Sequence, residues 1–250
     1  MAGAAILGGL DWRAGTVLER RKETATAYTL VLDVPDWPGH DAGQHLDVRL
    51  TAPDGYSASR SYSIANAANG TRVELTIEEL HDGEVSPYLA EGVSVGDPLE
   101  VRGPIGGWFV WRPTQEEPVQ LIAGGSGVVP LMAMIRTRAL AGSSAPFRLL
   151  YSVRAPQSII YSDELMMRAK DDNGLDVAFA YTRTIPDGWL RAPKRIDAAV
   201  LMETTIPPEQ KPSCYVCGPT PFVETAANLL IAAGHDPDRI KTERFGPTGQ

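Results

Sequence analysis

Cysteine and histidine are scarce in this chain, and their scarcity excludes several kinds of site. The 250 residues include two cysteines and four histidines. Two cysteines supply neither a disulfide framework nor the ligands of a plant-type iron–sulfur cluster, and the histidines follow no zinc-ligand spacing. We therefore expect no metal site, and a reducing cytoplasm is the expected location.

Long apolar runs and clusters of basic residues are also missing. No stretch approaches the roughly 18–20 apolar residues that a membrane helix needs, so membrane insertion is not expected. The N-terminal MAGAAILGGLDWRAG has no basic residue ahead of its apolar patch, which argues against a secretory signal. The net charge is −8 at pH 7. Nucleic-acid binding is not expected, because phosphate neutralisation supplies most of its nonspecific affinity.

The sequence pattern changes near residue 113, and the chain is long enough for two domains. Before that point, alternating stretches such as AYTLVLDV and RVELTIEEL are separated by Gly, Pro, Asp and Asn, which is typical of an antiparallel β-barrel or sandwich. After it, apolar strands alternate with helical segments, which predicts an α/β domain with a parallel sheet. We predict a β-barrel domain over residues 1–113 and the α/β domain over residues 114–250.

A glycine cluster follows the first apolar strand of the second half. In LIAGGSGVVPLMAMI, Gly124, Gly125 and Gly127 stand where a strand gives way to a helix. Glycines there let the backbone approach a pyrophosphate, and the helix N-terminus favours its negative charge. A tight turn without a ligand is the alternative. The flanking strand and helix are the context that a dinucleotide-binding motif requires.

The ends of the next two strands indicate which dinucleotide would bind. An acidic residue there would bind the ribose diol of NAD, but FRLLYSVRAP ends in Ser152 and Arg154, and Arg183 follows the third strand. A hydroxyl and two guanidinium groups suit a 2′-phosphate, so NADP(H) is preferred and NAD(H) is possible. The alternative is that both arginines only decorate the edge of the sheet.

A second motif, in the first half of the chain, supports the interpretation of the glycine loop as a nucleotide-binding motif. In SRSYSIAN, Arg60 and Tyr62 share one face of a strand, while Ser61 and Ser63 share the other. Arg-x-Tyr-Ser ahead of a glycine-rich nucleotide loop resembles the ferredoxin–NADP(H) reductase superfamily, in which a flavin-binding barrel precedes a nicotinamide-binding domain. The resemblance covers about residues 14–247 and implies an FAD-dependent NAD(P)H reductase.

The resemblance implies roles for the residues around the flavin. Arg60 would hold the FAD pyrophosphate, Tyr62 would pack on the flavin, and the Ser63 hydroxyl would reach toward flavin N5. DGEVSPYL is similar to the family's Gly-x-x-Ser segment, which presents backbone N–H groups and a hydroxyl to the flavin phosphates. The other residues assigned to flavin binding in this way are Ile64, Gly83, Val85 and Ser86.

Three later segments carry the nicotinamide side of the resemblance. GGSGVVP matches the family's glycine loop with serine in place of threonine, which assigns Gly125 and Gly127 to the dinucleotide. CGPTPFV matches the Cys-Gly-Pro segment beside the nicotinamide, through Cys217, Gly218 and Pro219. ERF at 243–245 resembles the terminal Glu-x-aromatic.

The terminal segment implies two further roles, each with an alternative. By the resemblance, Glu243 would couple protons to flavin N5, and Phe245 would cover the flavin face until nicotinamide displaces it. Glu243 equally fits a solvated acid at a strand end, and Phe245 fits a core aromatic. In many relatives the chain ends at or just after this aromatic, whereas GPTGQ follows it here. The stacking role therefore depends on where this tail lies.

The two cysteines form a Cys-x-x-Cys motif in SCYVCGP. Its spacing suits a redox dithiol or half of a metal site. On a strand, however, residues three apart point to opposite faces, so Cys214 and Cys217 should share neither a disulfide nor a metal. We expect Cys214 to be a buried packing residue beneath a helix. Cys217, at the carboxyl end of the strand, is expected to help position the nicotinamide.

The expected electron acceptor follows from the missing cluster cysteines. Electrons would leave on another molecule, and a flavin can accept two electrons and release them singly. The expected partners are a nicotinamide dinucleotide as donor and a ferredoxin or an oxygenase's iron–sulfur component as acceptor. Two alternatives are a flavin or ferric-complex reductase with a small-molecule acceptor, and a non-catalytic electron-transfer or nucleotide-sensing subunit of a larger assembly.

Overall fold

The computed structural model describes residues 11–80 and 83–246. The first half of the chain forms a six-stranded antiparallel sheet. Its strands are β1 (Trp12–Lys22), β2 (Ala27–Asp33), β3 (His45–Thr51), β4 (Ser57–Ser63), β5 (Arg72–Glu78) and β6 (Pro98–Ile105). They lie in the order β4-β3-β6-β1-β2-β5. One turn of π-helix, Tyr88–Gly92, follows β5.

The sheet curls until its edge strands, β4 and β5, meet. Ile64 forms an isolated bridge with Leu75, and the Ala65 N–H donates to the Glu74 carbonyl at 2.8 Å. β4 ends at Ser63, because the chain there leaves β3 and crosses to β5. The predicted antiparallel barrel is confirmed. Alternating apolar side chains fill its interior, among them Leu30, Leu32, Leu46, Val48, Leu75 and Val101.

The second half forms a five-stranded parallel sheet with helices on both faces, as predicted. Its strands are β7 (Val119–Gly124), β8 (Phe147–Val153), β9 (Leu175–Tyr181), β10 (Ser213–Pro219) and β11 (Ile240–Phe245), and its helices are α1 (Val128–Leu140), α2 (Ser162–Asp171), α3 (Ala198–Thr204) and α4 (Thr220–Ala232). No helix among the described residues is long and apolar enough to cross a membrane.

The strand order of this sheet positions a ligand site. The order is β11-β10-β7-β8-β9, so the chain runs outward from β7 to β9 and then returns to the other side of β7. The crevice between β7 and β10, at their carboxyl ends, is where such sheets bind ligands. Both the glycine loop and the Cys-Gly-Pro segment lie at this crevice.

A buried network joins the barrel to the parallel-sheet domain. Arg136 of α1 donates to the Ala65 carbonyl of the barrel at 2.9 Å and to Glu164 of α2 at 2.6 Å. A second link is a hydrogen bond between the hydroxyls of Tyr161 and Thr76. Arg136 also lies over the Tyr161 ring, 4.8 Å from its centroid. These contacts fix the barrel against the carboxyl ends of the parallel strands.

Candidate functional site

The Arg-x-Tyr-Ser motif occupies β4, a strand of the barrel that pairs with β3. Arg60 is exposed, and one of its guanidinium nitrogens lies 3.5 Å from a carboxylate oxygen of Glu84. Tyr62 is half-buried on the same face, and burial raises the pKa of its phenol to about 12. This face therefore presents a neutral aromatic ring beside a solvent-facing cation, a combination that suits an aromatic ligand carrying phosphate.

The Gly-x-x-Ser segment forms a tight turn facing β4. The Gly83 N–H donates to the Leu80 carbonyl at 2.8 Å, and the Leu80 N–H donates to the Ser86 hydroxyl at 3.1 Å. A Cβ at Gly83 would lie 2.8 Å from that hydroxyl oxygen, so the turn has no room for a side chain there. Val85 is buried beneath it. The Ser86 hydroxyl accepts a hydrogen bond in this turn, so its own proton remains available to a ligand.

The glycine loop is shaped by packing as well as by ligand access. Gly125 has a φ of +55°, which favours glycine. A Cβ at Gly127 would clash with the Cys217 carbonyl, so glycine is needed where α1 begins against β10. Gly218 is also tightly packed, since a Cβ there would meet the Phe222 ring of α4 at 2.8 Å. The backbone at this point is open to an anion at the N-terminus of α1.

A cleft of about 240 Å³ opens above these loops, between the two domains. Ser152 and Arg154, predicted to select the dinucleotide, both line it. Arg183 does not line it, but the Arg183 N–H donates to the Arg154 carbonyl at 3.0 Å, which places the two arginines next to each other, just after the ends of β8 and β9. Pro219 and Phe245 line the opposite wall. Five of the residues predicted to bind the dinucleotide therefore border one cleft, namely Gly125, Ser152, Arg154, Pro219 and Phe245.

Ser63, Glu243 and Cys217 meet at the junction of the domains, together with a residue that the sequence reasoning missed. His45 of β3 pairs with Ser63 of β4, and Cys217 of β10 pairs with Glu243 of β11. The His45 Nδ1 lies 3.7 Å from the Glu243 Oε1, which joins the two pairs. Because this contact joins residues 198 positions apart, only their juxtaposition in the fold identifies His45.

The electrostatics of this junction favour neutral groups. Burial raises the pKa of Glu243 to about 7, and its Oε2 is buried with no hydrogen-bond partner among the described residues. Burial lowers the pKa of His45, and Asp47 only partly opposes that change. Burial and then the Glu243 charge raise the pKa of the Cys217 thiol. A carboxyl with a pKa of about 7 is able to gain or lose a proton near neutral pH.

The two cysteines lie on opposite faces of β10. Cys214 is packed among apolar residues of α3 and α4, with its Sγ 3.8 Å from the His235 Nδ1. Cys217 belongs to the core beneath α1. Both thiols are free and buried, so the motif forms no disulfide.

Phe245 ends β11 beside Pro219 and is about one-third exposed, at 37%. It lines the cleft together with Phe222 of α4. This position does not fit a core aromatic, one of the alternatives left open by the sequence. Residues 247–250, most of the tail whose position bears on its role, lie outside the described residues.

The residues on the barrel side fit FAD by their donor chemistry. The site offers a guanidinium group at Arg60, a tight turn of backbone N–H groups at 83–86, and an aromatic ring at Tyr62. Across the junction, on β11, the Glu243 Oε2 is buried and has no hydrogen-bond partner in the described part of the chain, so it supplies a polar group that a flavin nitrogen can satisfy. The site thus has one set of groups that would bind the FAD phosphates and another that would bind the flavin ring.

Comparison with known proteins identifies both halves of the chain. Residues 18–110 match the oxidoreductase FAD-binding domain family, and residues 121–228 match the oxidoreductase NAD-binding domain family. A flavohemoprotein of Rhodopirellula baltica is 28% identical over 239 residues, which cover 91% of this chain and 58% of that protein. The glycine betaine monooxygenase reductase subunit of Chromohalobacter salexigens is 29% identical over 209 residues, covering 82% of this chain and 56% of that protein. The chain thus spans less than two-thirds of these relatives.

A solved structure supports the same assignment. The flavohem-like FAD/NAD-binding domain of nitric oxide dioxygenase from Vibrio cholerae superposes with a TM-score of 0.84 at 28% identity, covering 94% of this chain and 99% of that one. A ferredoxin–NADP+ reductase from Neisseria gonorrhoeae, solved with bound FAD and NADP, shares the fold with a TM-score of 0.78 at 18% identity. The chain belongs to the ferredoxin–NADP(H) reductase superfamily, with an FAD-binding oxidoreductase domain followed by an NAD-binding oxidoreductase domain.

Proposed function

We propose that this protein takes hydride from NADPH in preference to NADH and passes electrons singly to a separate iron–sulfur protein, a ferredoxin or an oxygenase component. The observation that carries the proposal is the junction of the domains, where Ser63, His45 and Glu243 converge beside a nucleotide cleft. Bound FAD supplies the two-electron to one-electron conversion. A cytoplasmic location belongs to the proposal, because two free buried thiols suit a reducing compartment.

The residues of the chain position the reactants and hold a proton. Arg60 and the turn at 83–86 bind the flavin phosphates, and the glycine loop binds those of the dinucleotide, so each ring has its own anchor. Glu243 holds its proton up to about pH 7, with the His45 imidazole 3.7 Å away as an exchange partner. Cys217 forms the wall of the site between Glu243 and the glycine loop.

The reductase components among the relatives support an oxygenase-type acceptor. They include the reductase component of propane 2-monooxygenase from Rhodococcus jostii, 28% identical over 206 residues. The flavohemoprotein relatives instead favour a haem protein as a second candidate acceptor. A small-molecule acceptor, such as free flavin or a ferric chelate, is the third.

Anaerobic stopped-flow mixing of the FAD-loaded protein with NADPH and with NADH tests the donor side. Flavin absorbance near ~450 nm should fall with both donors and faster with NADPH. Purified protein without tightly bound flavin would contradict the proposal. Turnover with a ferredoxin, but not with free flavin or ferric chelate, supports the iron–sulfur acceptor. Turnover with a haem protein alone would show that the acceptor is a haem protein and not an iron–sulfur protein.

The arginines at the strand ends give the donor preference a direct test. Arg154→Ala is expected to raise the KM for NADPH about tenfold or more, because it removes one hydrogen bond to a charged group. The KM for NADH should stay within about twofold of the parent's value. Steady-state kinetics with both donors measure this. The matched control is Arg191→Ala, an arginine that pairs with Glu203 at the surface. Equal losses with the two donors would contradict a 2′-phosphate contact.

The two cysteines are expected to differ in effect. Cys217→Ala should slow flavin reduction about tenfold, because it loosens the wall against which the nicotinamide is positioned. Cys214→Ala removes the same thiol group from the opposite face of β10, and it should leave the rate of flavin reduction nearly unchanged. Single-turnover reduction of the two FAD-loaded variants measures this. Equal effects would refute a positioning role for Cys217.

A further inference from the structure

A carboxylate of the barrel faces the nucleotide cleft. Glu78, the last residue of β5, lines the cleft together with Thr24 and Thr26 of the turn between β1 and β2. Of the described residues that line it, Arg154 is the one cation and Glu78 the one carboxylate. The other acid of β5, Glu74, is paired with Arg21 at 3.1 Å. Glu78 takes part in no ion pair in the part of the chain that the structure describes.

Glu78 lies directly opposite the glycine loop. A Cβ built on Gly125 would be 4.0 Å from the Glu78 Oε2. Gly125 and Gly127 bracket the short turn from which α1 begins, so the backbone facing this carboxylate is the part of the cleft suited to a pyrophosphate. An anion bound there is placed between the helix N-terminus, which attracts it, and Glu78, which repels it.

We propose that Glu78 is an affinity-determining residue that weakens binding of the dinucleotide pyrophosphate and thereby speeds release of the oxidised dinucleotide. The inference rests on the proposed placement of the dinucleotide over the glycine loop. The carboxylate comes from the barrel and the loop from the parallel-sheet domain, so the repulsion acts only where the two domains meet. Arg154, which attracts, lines the same cleft from the end of β8, so the two charges act on different parts of one ligand.

The test is equilibrium binding of NADP+ and of NAD+ to the FAD-loaded Glu78→Gln variant, measured by calorimetry. Glutamine keeps the size of the side chain and its capacity to accept a hydrogen bond, so the substitution isolates the charge. The Kd for both ligands should fall about tenfold, the effect of one like-charge repulsion at about 6 Å with an effective dielectric constant of about 40. Because the pyrophosphate is common to both ligands, the two ratios should agree.

Glu79→Gln is the matched control. Glu79 is the next residue, with the same charge, but it does not line the cleft, and its N–H donates to the Thr26 carbonyl at 2.8 Å. The Kd values of the Glu79→Gln variant for NADP+ and NAD+ should stay within about twofold of those of the parent protein. The ratio of the parent's Kd to that of Glu78→Gln should approach one as added salt screens the Glu78 charge. An unchanged or raised Kd in Glu78→Gln, or an equal fall in both variants, would overturn the proposal.

The outcome separates this inference from the proposed function. If the FAD-loaded parent binds neither dinucleotide and NADPH does not reduce it, the proposed function fails. If the parent is reduced by NADPH and Glu78→Gln binds NADP+ no better than Glu79→Gln, only the role of Glu78 fails. A faster release of NADP+ from the parent than from Glu78→Gln, seen in stopped-flow displacement, is the kinetic result expected.

Discussion

Replacing Glu243 with glutamine is expected to slow proton-coupled electron transfer through the protein about 100-fold and to flatten its pH dependence near 7. Burial raises the pKa of this carboxyl to about 7, so its proton is exchanged in the neutral range. Glutamine keeps the shape but does not titrate, and a positioned acid–base group contributes about 10²–10⁴-fold. Single-turnover reduction and reoxidation of the FAD-loaded protein, from about pH 5.5 to about pH 8.5, measures the effect.

The control for this variant is Glu224→Gln. Glu224 is an exposed carboxyl on α4, paired at 2.7 Å with Arg244, which belongs to β11 as Glu243 does. Its replacement should leave the pH profile in place. If Glu243→Gln retains the inflection near pH 7, the proton is exchanged elsewhere. His45→Gln, which keeps a hydrogen-bonding side chain, would then identify the imidazole as the exchanging group if it alone removed the inflection.

Glu243 also makes the stability of the fold depend on pH. Its pKa in the folded protein, about 7, exceeds the ordinary value of 4.5, so the folded state binds more protons than the unfolded state between these values. The free energy of unfolding therefore falls as the pH rises from about 4.5 to about 7, by up to about 3 kcal/mol. The glutamine variant should lack this component, which urea titrations at several pH values can measure.

Replacing Arg136 with methionine is expected to lower the free energy of unfolding by about 3 kcal/mol and to slow hydride transfer more than tenfold. The Arg136 side chain is 13% exposed, and its guanidinium joins the Ala65 carbonyl and Glu74 of the barrel to Glu164 of α2. Methionine fills much of the volume but leaves the carboxylates with fewer partners. Without this link we expect the two domains to lose the relative orientation that hydride transfer requires. Denaturant unfolding and stopped-flow reduction measure the two effects.

Arg168→Met provides the comparison for Arg136. Arg168 binds the same Glu164 at 2.8 Å across one helical turn, but this ion pair lies within α2 and does not reach the barrel. Such a pair is worth up to about 1 kcal/mol, and hydride transfer should be unchanged. Equal loss of rate in the two variants would show that the Glu164 ion pairs act through α2 alone and not through the domain junction.

Several features of the site follow from local sequence. The glycine loop is identifiable because a strand-to-helix turn with a residue at a φ of +55° and a close approach to β10 requires glycine at Gly125 and Gly127. The motif on β4 is identifiable because alternation along a strand places Arg60 and Tyr62 on one face. The opposite faces of Cys214 and Cys217 follow from the same alternation. Each of these depends on neighbours within a few residues.

By itself, the sequence determined the two-domain architecture, the family, and the residues of the local motifs. Only the tertiary structure placed His45 against Glu243, opposed Glu78 to the glycine loop, and separated Arg183 from the cleft that Arg154 lines. The physical reason is that periodicity and turn chemistry report on a residue's immediate neighbours. The pKa of Glu243 and the charge balance of the cleft depend instead on strands from different domains, which meet only in the folded protein.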